Sequence, residues 1–138
     1  MIIVGIDPGD TTGMFTYNTN TLSHTAQHHT DIDQLLARIR NFTTWSEVFI
    51  GMERFHISER TVRSTRQPKV LDVIGAVKAL GVPIIEQNAS DAKHIGTDEV
   101  LKSIGWYTPR LRHANDAARH CLLLLARKDL KSFDKLVS

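Results

Sequence analysis

Two acids in this chain each close an apolar run, and a histidine–aspartate pair follows much later. Residues 2–6, Ile-Ile-Val-Gly-Ile, lead into Asp7, and residues 48–52, Val-Phe-Ile-Gly-Met, lead into Glu53. His113 and Asp116 stand three apart at the start of an alanine-rich stretch, so both project from one side of a helix's first turn; His120 falls on that side one turn further on. A carboxylate at the mouth of a buried strand is costly unless a cation or hydrogen-bond donors offset its desolvation. Taken singly, each of these groups is explained by turn or helix capping. Taken together, carboxylates and an imidazole suit Mg²⁺ or Mn²⁺, with the histidine tilting the choice toward Mn²⁺. Two such ions can activate a water and steady the leaving oxygen of a phosphodiester. Spacing alone does not prove that the groups meet in space.

The elements that must position them follow from pattern. An all-apolar opening run predicts a strand covered on both faces, and Pro8, Gly9 and Gly13 punctuate the turn after it. Residues 12–17 and 22–30 read as two further strands, with Thr19-Asn20 as the hairpin turn. His28 and His29 are neighbours in the second of these and point to opposite faces, so exposed histidines are expected there rather than a shared ion. Ile32, Leu35, Leu36, Ile39 and Phe42 recur at helical spacing behind a Thr30/Asp31 start signal. Residues 47–53 form a fourth strand and 82–86 a fifth. Between them a helix follows Pro68, with Val70, Val73, Ile74, Val77 and Leu80 on one stripe, ended by Gly81 and Pro83. Gly75 in that helix is read as a close-packing site.

Ser90 and Thr97 read as caps of two short helical pieces. Ser90 with Lys93 has the spacing of a serine–lysine nucleophile pair, but no glycine-rich stretch offers an oxyanion hole, so the cap is preferred. Residues 106–109 are a loop. The last long element spans about 113–130, where Ala114, Ala117, Ala118, Cys121, Leu122, Leu125 and Ala126 form a broad apolar face. Its small residues would let it approach the sheet closely. The basic tail after Arg127 is short.

The 138 residues suit one domain, 1–138, with no repeat or linker. No apolar run approaches a membrane span, and the N-terminus lacks the pattern of a signal peptide, so no membrane association and a cytoplasmic setting are expected. The single cysteine, Cys121, excludes an internal disulfide and lies among leucines, where packing is the simplest role. Charge is uneven. Residues 1–50 carry −3 and the remainder +5. Five Lys/Arg fall in the sixteen residues 54–69, namely Arg54, Arg60, Arg63, Arg66 and Lys69. Directly after a candidate site acid, they point to phosphate contact with a nucleic acid.

Three stretches in order carry a family resemblance: GIDPGDTTG at the first strand, IGMERF at the fourth, and HANDAARH at the start of the last helix. They resemble the successive active-site motifs of RuvC-type Holliday junction resolvases, within the ribonuclease H-like superfamily. The resemblance spans nearly the whole chain. It implies an α/β fold with a five-stranded mixed sheet, its first three strands antiparallel, flanked by helices. It implies metal-dependent hydrolysis of branched DNA by a homodimer whose two sites cut paired strands of a four-way junction. By motif position Asp7, Glu53, His113 and Asp116 would hold Mg²⁺ or Mn²⁺, two ions per site, with His113 at a position that is Asp in some members. His113 could alternatively carry a proton. Lys93 matches the lysine after the fifth strand and would contact phosphate. Between Lys93 and Trp106 the chain is shorter than the family pattern, as in the compact bacteriophage versions, which would place it in a host cytoplasm.

Other readings remain at this point. The same fold could serve a flap, single-strand or RNA–DNA hybrid nuclease. GIDPGDTTG also resembles the phosphate-binding hairpin of actin-like ATPases, which close two such domains over a nucleotide, whereas this chain supplies one. A non-catalytic DNA-binding module is the third class, and acids at all three main site positions argue against it, since they would weaken the binding of a polyanion.

Overall fold

The computed structural model describes residues 1–56 and 67–138. A five-stranded mixed sheet forms its centre, built from β1 (Ile2–Asp7), β2 (Thr12–Asn18), β3 (His24–His29), β4 (Val48–Glu53) and β5 (Ile84–Gln87) in the order β3-β2-β1-β4-β5. The first three strands are antiparallel, while β4 lies parallel to β1 and β5 parallel to β4. Asp7 and Glu53 therefore emerge at the same end of neighbouring parallel strands, where open α/β sheets place their ligands. Helices cover both faces: α1 (Ile32–Thr43) and α2 (Gln67–Lys78) on one, and the long α5 (Arg112–Lys128) on the other.

The period of two along each strand sorts the core. Ile2, Val4, Ile6, Ile50 and Met52 pack with Leu35, Ile39, Val73 and Val77 of α1 and α2. Ile3, Phe15 and Tyr17 face the other way, onto Ala117, Ala118, Cys121, Leu122 and Leu125 of α5. Trp106 is fully buried against the rings of Phe15 and Tyr17, at centroid distances of 4.6 and 5.0 Å, and so anchors the loop that leads into α5. By the same alternation Asp7, Glu53 and Gln87 belong to the face that α5 covers. No helix among the described residues is long and apolar enough to cross a membrane.

Local signals explain the element ends. Asp31 caps α1, its carboxylate accepting from the backbone N–H of Asp33 and Gln34. Thr97 caps α4 (Asp98–Ser103) by accepting from Val100 N–H. The preceding α3 (Ala89–Ile95) begins one residue before Ser90, with Asn88 at its cap position, so Ser90 lies inside the helix and is not its cap. The last element also differs from expectation. α5 stops at Lys128, and Asp129 starts a separate α6 (Leu130–Val137) by accepting from the N–H and hydroxyl of Ser132. The tail is thus a helix packed on α5, with Phe133 and Leu136 against the core.

Close approach of α5 rests on the glycines of the strands beneath it. A Cβ on Gly5 would lie 1.9 Å from the Ala117 carbonyl oxygen, and one on Gly13 would lie 1.9 Å from that of His113. Gly75 behaves oppositely: nothing lies within 4 Å of a Cβ built there, so the close-packing reading of that residue is wrong. The two environments give opposite predictions. Gly5→Ala should cost about 3 kcal/mol or more, because backbone must move to admit the methyl. Gly75→Ala should add about 0.5–1 kcal/mol through helix propensity. Urea denaturation midpoints of the two variants check both signs.

Candidate functional site

The Asp7 carboxyl is buried, with the residue 7% exposed, at the end of β1. His113 Nδ1 lies 3.1 Å from its Oδ2. Its second neighbour is Glu53, close enough for the two side chains to share a hydrogen bond. Burial first, then the charge and hydrogen bond of Glu53 and the charge of Asp116, push the Asp7 pKa up to about 8, against a smaller downward pull from Arg112. Glu53 moves the other way. The hydrogen bond from His120 holds it below the usual carboxylate range against the opposing effect of its own burial. The two neighbouring acids are thus pushed in opposite directions, Asp7 upward and Glu53 downward.

Asp116 lies close enough to raise the Asp7 pKa, yet its Oδ1 is held 2.8 Å from Arg119 Nη1. Arg119 also pairs with Asp98 and donates from Nε to the Gly96 carbonyl at 2.8 Å, tying α5 to the turn between α3 and α4. Beside Asp116 opens a cavity of about 560 Å³, lined in part by Lys93, Tyr107, Arg110, Arg112 and Arg119. Arg110 has φ of +70°, a strained backbone for a side chain with a Cβ. Among the described residues, no three His, Cys, Asp or Glu side chains converge as a ready metal cage.

The structure thus brings Asp7, Glu53, His113 and Asp116 to one end of the sheet. Lys93 is exposed on the cavity wall and contributes a downward pull on the Glu53 pKa. Arg54 is exposed, its backbone N–H bonded to the Gln87 carbonyl at the end of β4. Lys69 donates to the Thr30 carbonyl at 3.0 Å, on the side of the sheet that carries α1. The expected contacts at Arg60, Arg63 and Arg66 lie outside the described residues.

Sequence reasoning missed four contributors. His120, noted for its position only, reaches Glu53 with Nε2 at 3.2 Å. Gln87 stands opposite Glu53 in the β4–β5 register, and period-two counting from Ile85 would have put it on the same face. Arg119 lies three residues beyond Asp116, a helical ion-pair spacing legible in advance. His28 is the fourth. It is half-buried, not exposed as expected, and its Nε2 accepts the Ala114 N–H at 3.1 Å, one of the donors that the start of α5 leaves unpaired. Burial and the neighbouring His113 hold the His28 pKa down, which keeps that acceptor available.

No protein-family model and no curated protein matches the sequence. Solved structures do match. RuvC of Thermus thermophilus in complex with a Holliday junction substrate aligns over 94% of this chain and 96% of its own, with a TM-score of 0.66 and 18% identity. A second Thermus thermophilus RuvC structure aligns over 92% and 96%, with a TM-score of 0.62 and 20% identity. The mixed five-stranded sheet with its flanking helices is the RuvC fold, of ribonuclease H-like type.

Proposed function

We propose that this protein is a divalent-metal-dependent endonuclease that hydrolyses phosphodiester bonds in branched DNA, with the four-way junction as its principal substrate. The observation that carries this reading is the Asp7–Glu53 pair. Two carboxyls meet at the ends of adjacent parallel strands, and burial together with the Glu53 charge pushes the Asp7 pKa up to about 8. The donor set fits Mg²⁺ or Mn²⁺, ions held by one or two carboxylates with the rest of the shell left to water and substrate phosphate. Asp7 and Glu53 would be the main ligands, with His113 and Asp116 beside them. Bound divalent cations would supply Lewis acidity and charge neutralisation for the displacement at phosphorus. The RuvC fold and the junction bound in one solved neighbour support branched DNA as the substrate class.

The chain's own groups have separable tasks in this scheme. His120 steadies Glu53, and His113 steadies Asp7 or carries a proton at Nδ1. Lys93, Arg110 and Arg112 line the adjoining cavity with positive charge, which suits the phosphates on either side of the cut. Arg54, Arg60, Arg63, Arg66 and Lys69 extend the phosphate contacts. Resolving a four-way junction needs two symmetric nicks, so a two-fold homodimer presenting two sites completes the proposal.

Cleavage of matched synthetic junctions, flaps, single strands and RNA–DNA hybrids with Mg²⁺ or Mn²⁺ tests the reading, and no junction cutting with either metal would refute it. Asp7→Asn should abolish cleavage, at least a hundredfold in rate, while junction binding in a gel-shift assay persists. His113→Asp separates the two roles of that residue: a ligand swap keeps activity with an altered Mg²⁺/Mn²⁺ preference. Loss of a proton carrier instead lowers the rate about a hundredfold or more in both metals.

The Asp7 pKa gives a prediction that needs no substrate. Between its ordinary value of 3.8 and about 8, the folded metal-free protein holds a proton that the unfolded chain has lost. Stability therefore declines as pH rises through that window and levels off above it. In chelator-treated protein, the Tm difference between Asp7→Asn and wild type should grow in the variant's favour by about 5 °C or more from pH 5 to pH 8.5. A pH-independent difference would contradict the raised Asp7 pKa.

A further inference from the structure

Three hydrogen bonds behind Glu53 fix the tautomer of His120. Gln87 is 2% exposed and His120 is 1% exposed. The Gln87 amide has only one orientation that satisfies its neighbours. Its oxygen must face Arg127, which donates from Nη1 at 3.1 Å, and its nitrogen must face the His120 carbonyl, an acceptor, at 3.0 Å. That same amide nitrogen lies 3.2 Å from His120 Nδ1. A donor there requires an acceptor opposite, so Nδ1 carries no proton and the ring hydrogen sits on Nε2. Nε2 is the atom 3.2 Å from Glu53 Oε1.

We propose that His120 is a positioning residue of the site, locked by Arg127 and Gln87 in the Nε2–H tautomer so that it aims the Glu53 carboxylate toward Asp7. The proposal rests on the reading of Glu53 as a metal ligand and deepens it. The geometry has a purpose on that reading. A neutral imidazole gives Glu53 a directed hydrogen bond without adding a cation that would compete with the divalent ion for the same carboxylate. A leucine at position 120 would offer Glu53 no hydrogen bond and would leave its carboxylate free to turn. The lack of a Cβ on Gly51 makes room for the arrangement: one built there would lie 2.8 Å from Gln87 Nε2 and 3.0 Å from the His120 carbonyl oxygen.

Two measurements decide it. Long-range ¹H–¹⁵N correlation spectra of the metal-free wild-type protein at neutral pH should show His120 as the Nε2–H tautomer, and Gln87→Met should abolish that preference. A dominant Nδ1–H tautomer or an imidazolium in wild type would overturn the proposal. Calorimetric titration with Mn²⁺ alone, without DNA, should show affinity about tenfold weaker or worse in His120→Phe and Gln87→Met. Affinity equal to wild type in the folded variants would overturn it as well. Gln87→Met keeps the test open should His120→Phe fail to fold. A wild-type protein that takes up no Mn²⁺ would refute the proposed function instead, and the tautomer spectrum would still decide whether the lock exists.

Discussion

The closeness of α5 to the sheet is the constraint on which the rest of the site depends. Gly13, Gly5 and Gly51 belong to three adjacent strands, and each lies under the α5 backbone: under His113, Ala117 and His120 in turn. Those helix positions fall on one stripe of a 3.6-residue period, so α5 crosses β2, β1 and β4 with a single face of backbone against a flat patch that lacks side chains. Residues of that stripe sit directly over the strand ends that carry Asp7 and Glu53. His113 and His120 then need only a side chain's length to reach them.

That crossing also sets the electrostatics. Each acid of the site has a partner supplied by α5: His113 for Asp7, Arg119 for Asp116 and His120 for Glu53. The partners are unequal. Glu53 is held as an anion, and Asp116 faces a full guanidinium charge. Asp7 is the most buried of the three, and two neighbouring carboxylates raise its pKa. The unmet demand for positive charge is therefore concentrated at Asp7. On the proposed function, cation uptake would meet that demand at Asp7.

Much of this was legible in the sequence, for identifiable reasons. Apolar runs closing on Asp7 and Glu53 located the strand ends because β-branched residues and punctuating glycines mark central strands clearly. The 113/116 spacing located the helix because i, i+3 geometry is local. What stayed hidden was long-range. Gly5 and Gly75 look alike in sequence, and only the distance to another element tells the strand glycine under a helix from the solvent-facing one. Gln87 and His120 are 33 residues apart and pair only because β5 lies beside β4. His28 was read as exposed because the polar composition of β3 conceals that one of its faces is covered by the start of α5. At residues 88–90 both Asn88 and Ser90 are of capping type, which propensity does not tell apart, and residues 130–137 read as the end of the long helix and a short basic tail, not as a helix of their own.

The Arg119 guanidinium already occupies the Asp116 carboxylate, and on the proposed function this pairing does not bar Asp116 from serving as a ligand. Arg119 is largely buried and makes three attachments, to Asp116, to Asp98 and to the Gly96 carbonyl. Releasing Asp116 leaves the other two in place, so the arginine keeps a carboxylate partner and is not stranded as a buried unpaired charge. An arginine bound only to Asp116 would make that carboxylate expensive to recruit. One shared among three acceptors would, on the proposed function, leave Asp116 free to be recruited as a ligand while holding it in position beforehand, and it keeps positive charge on the wall of the adjoining cavity.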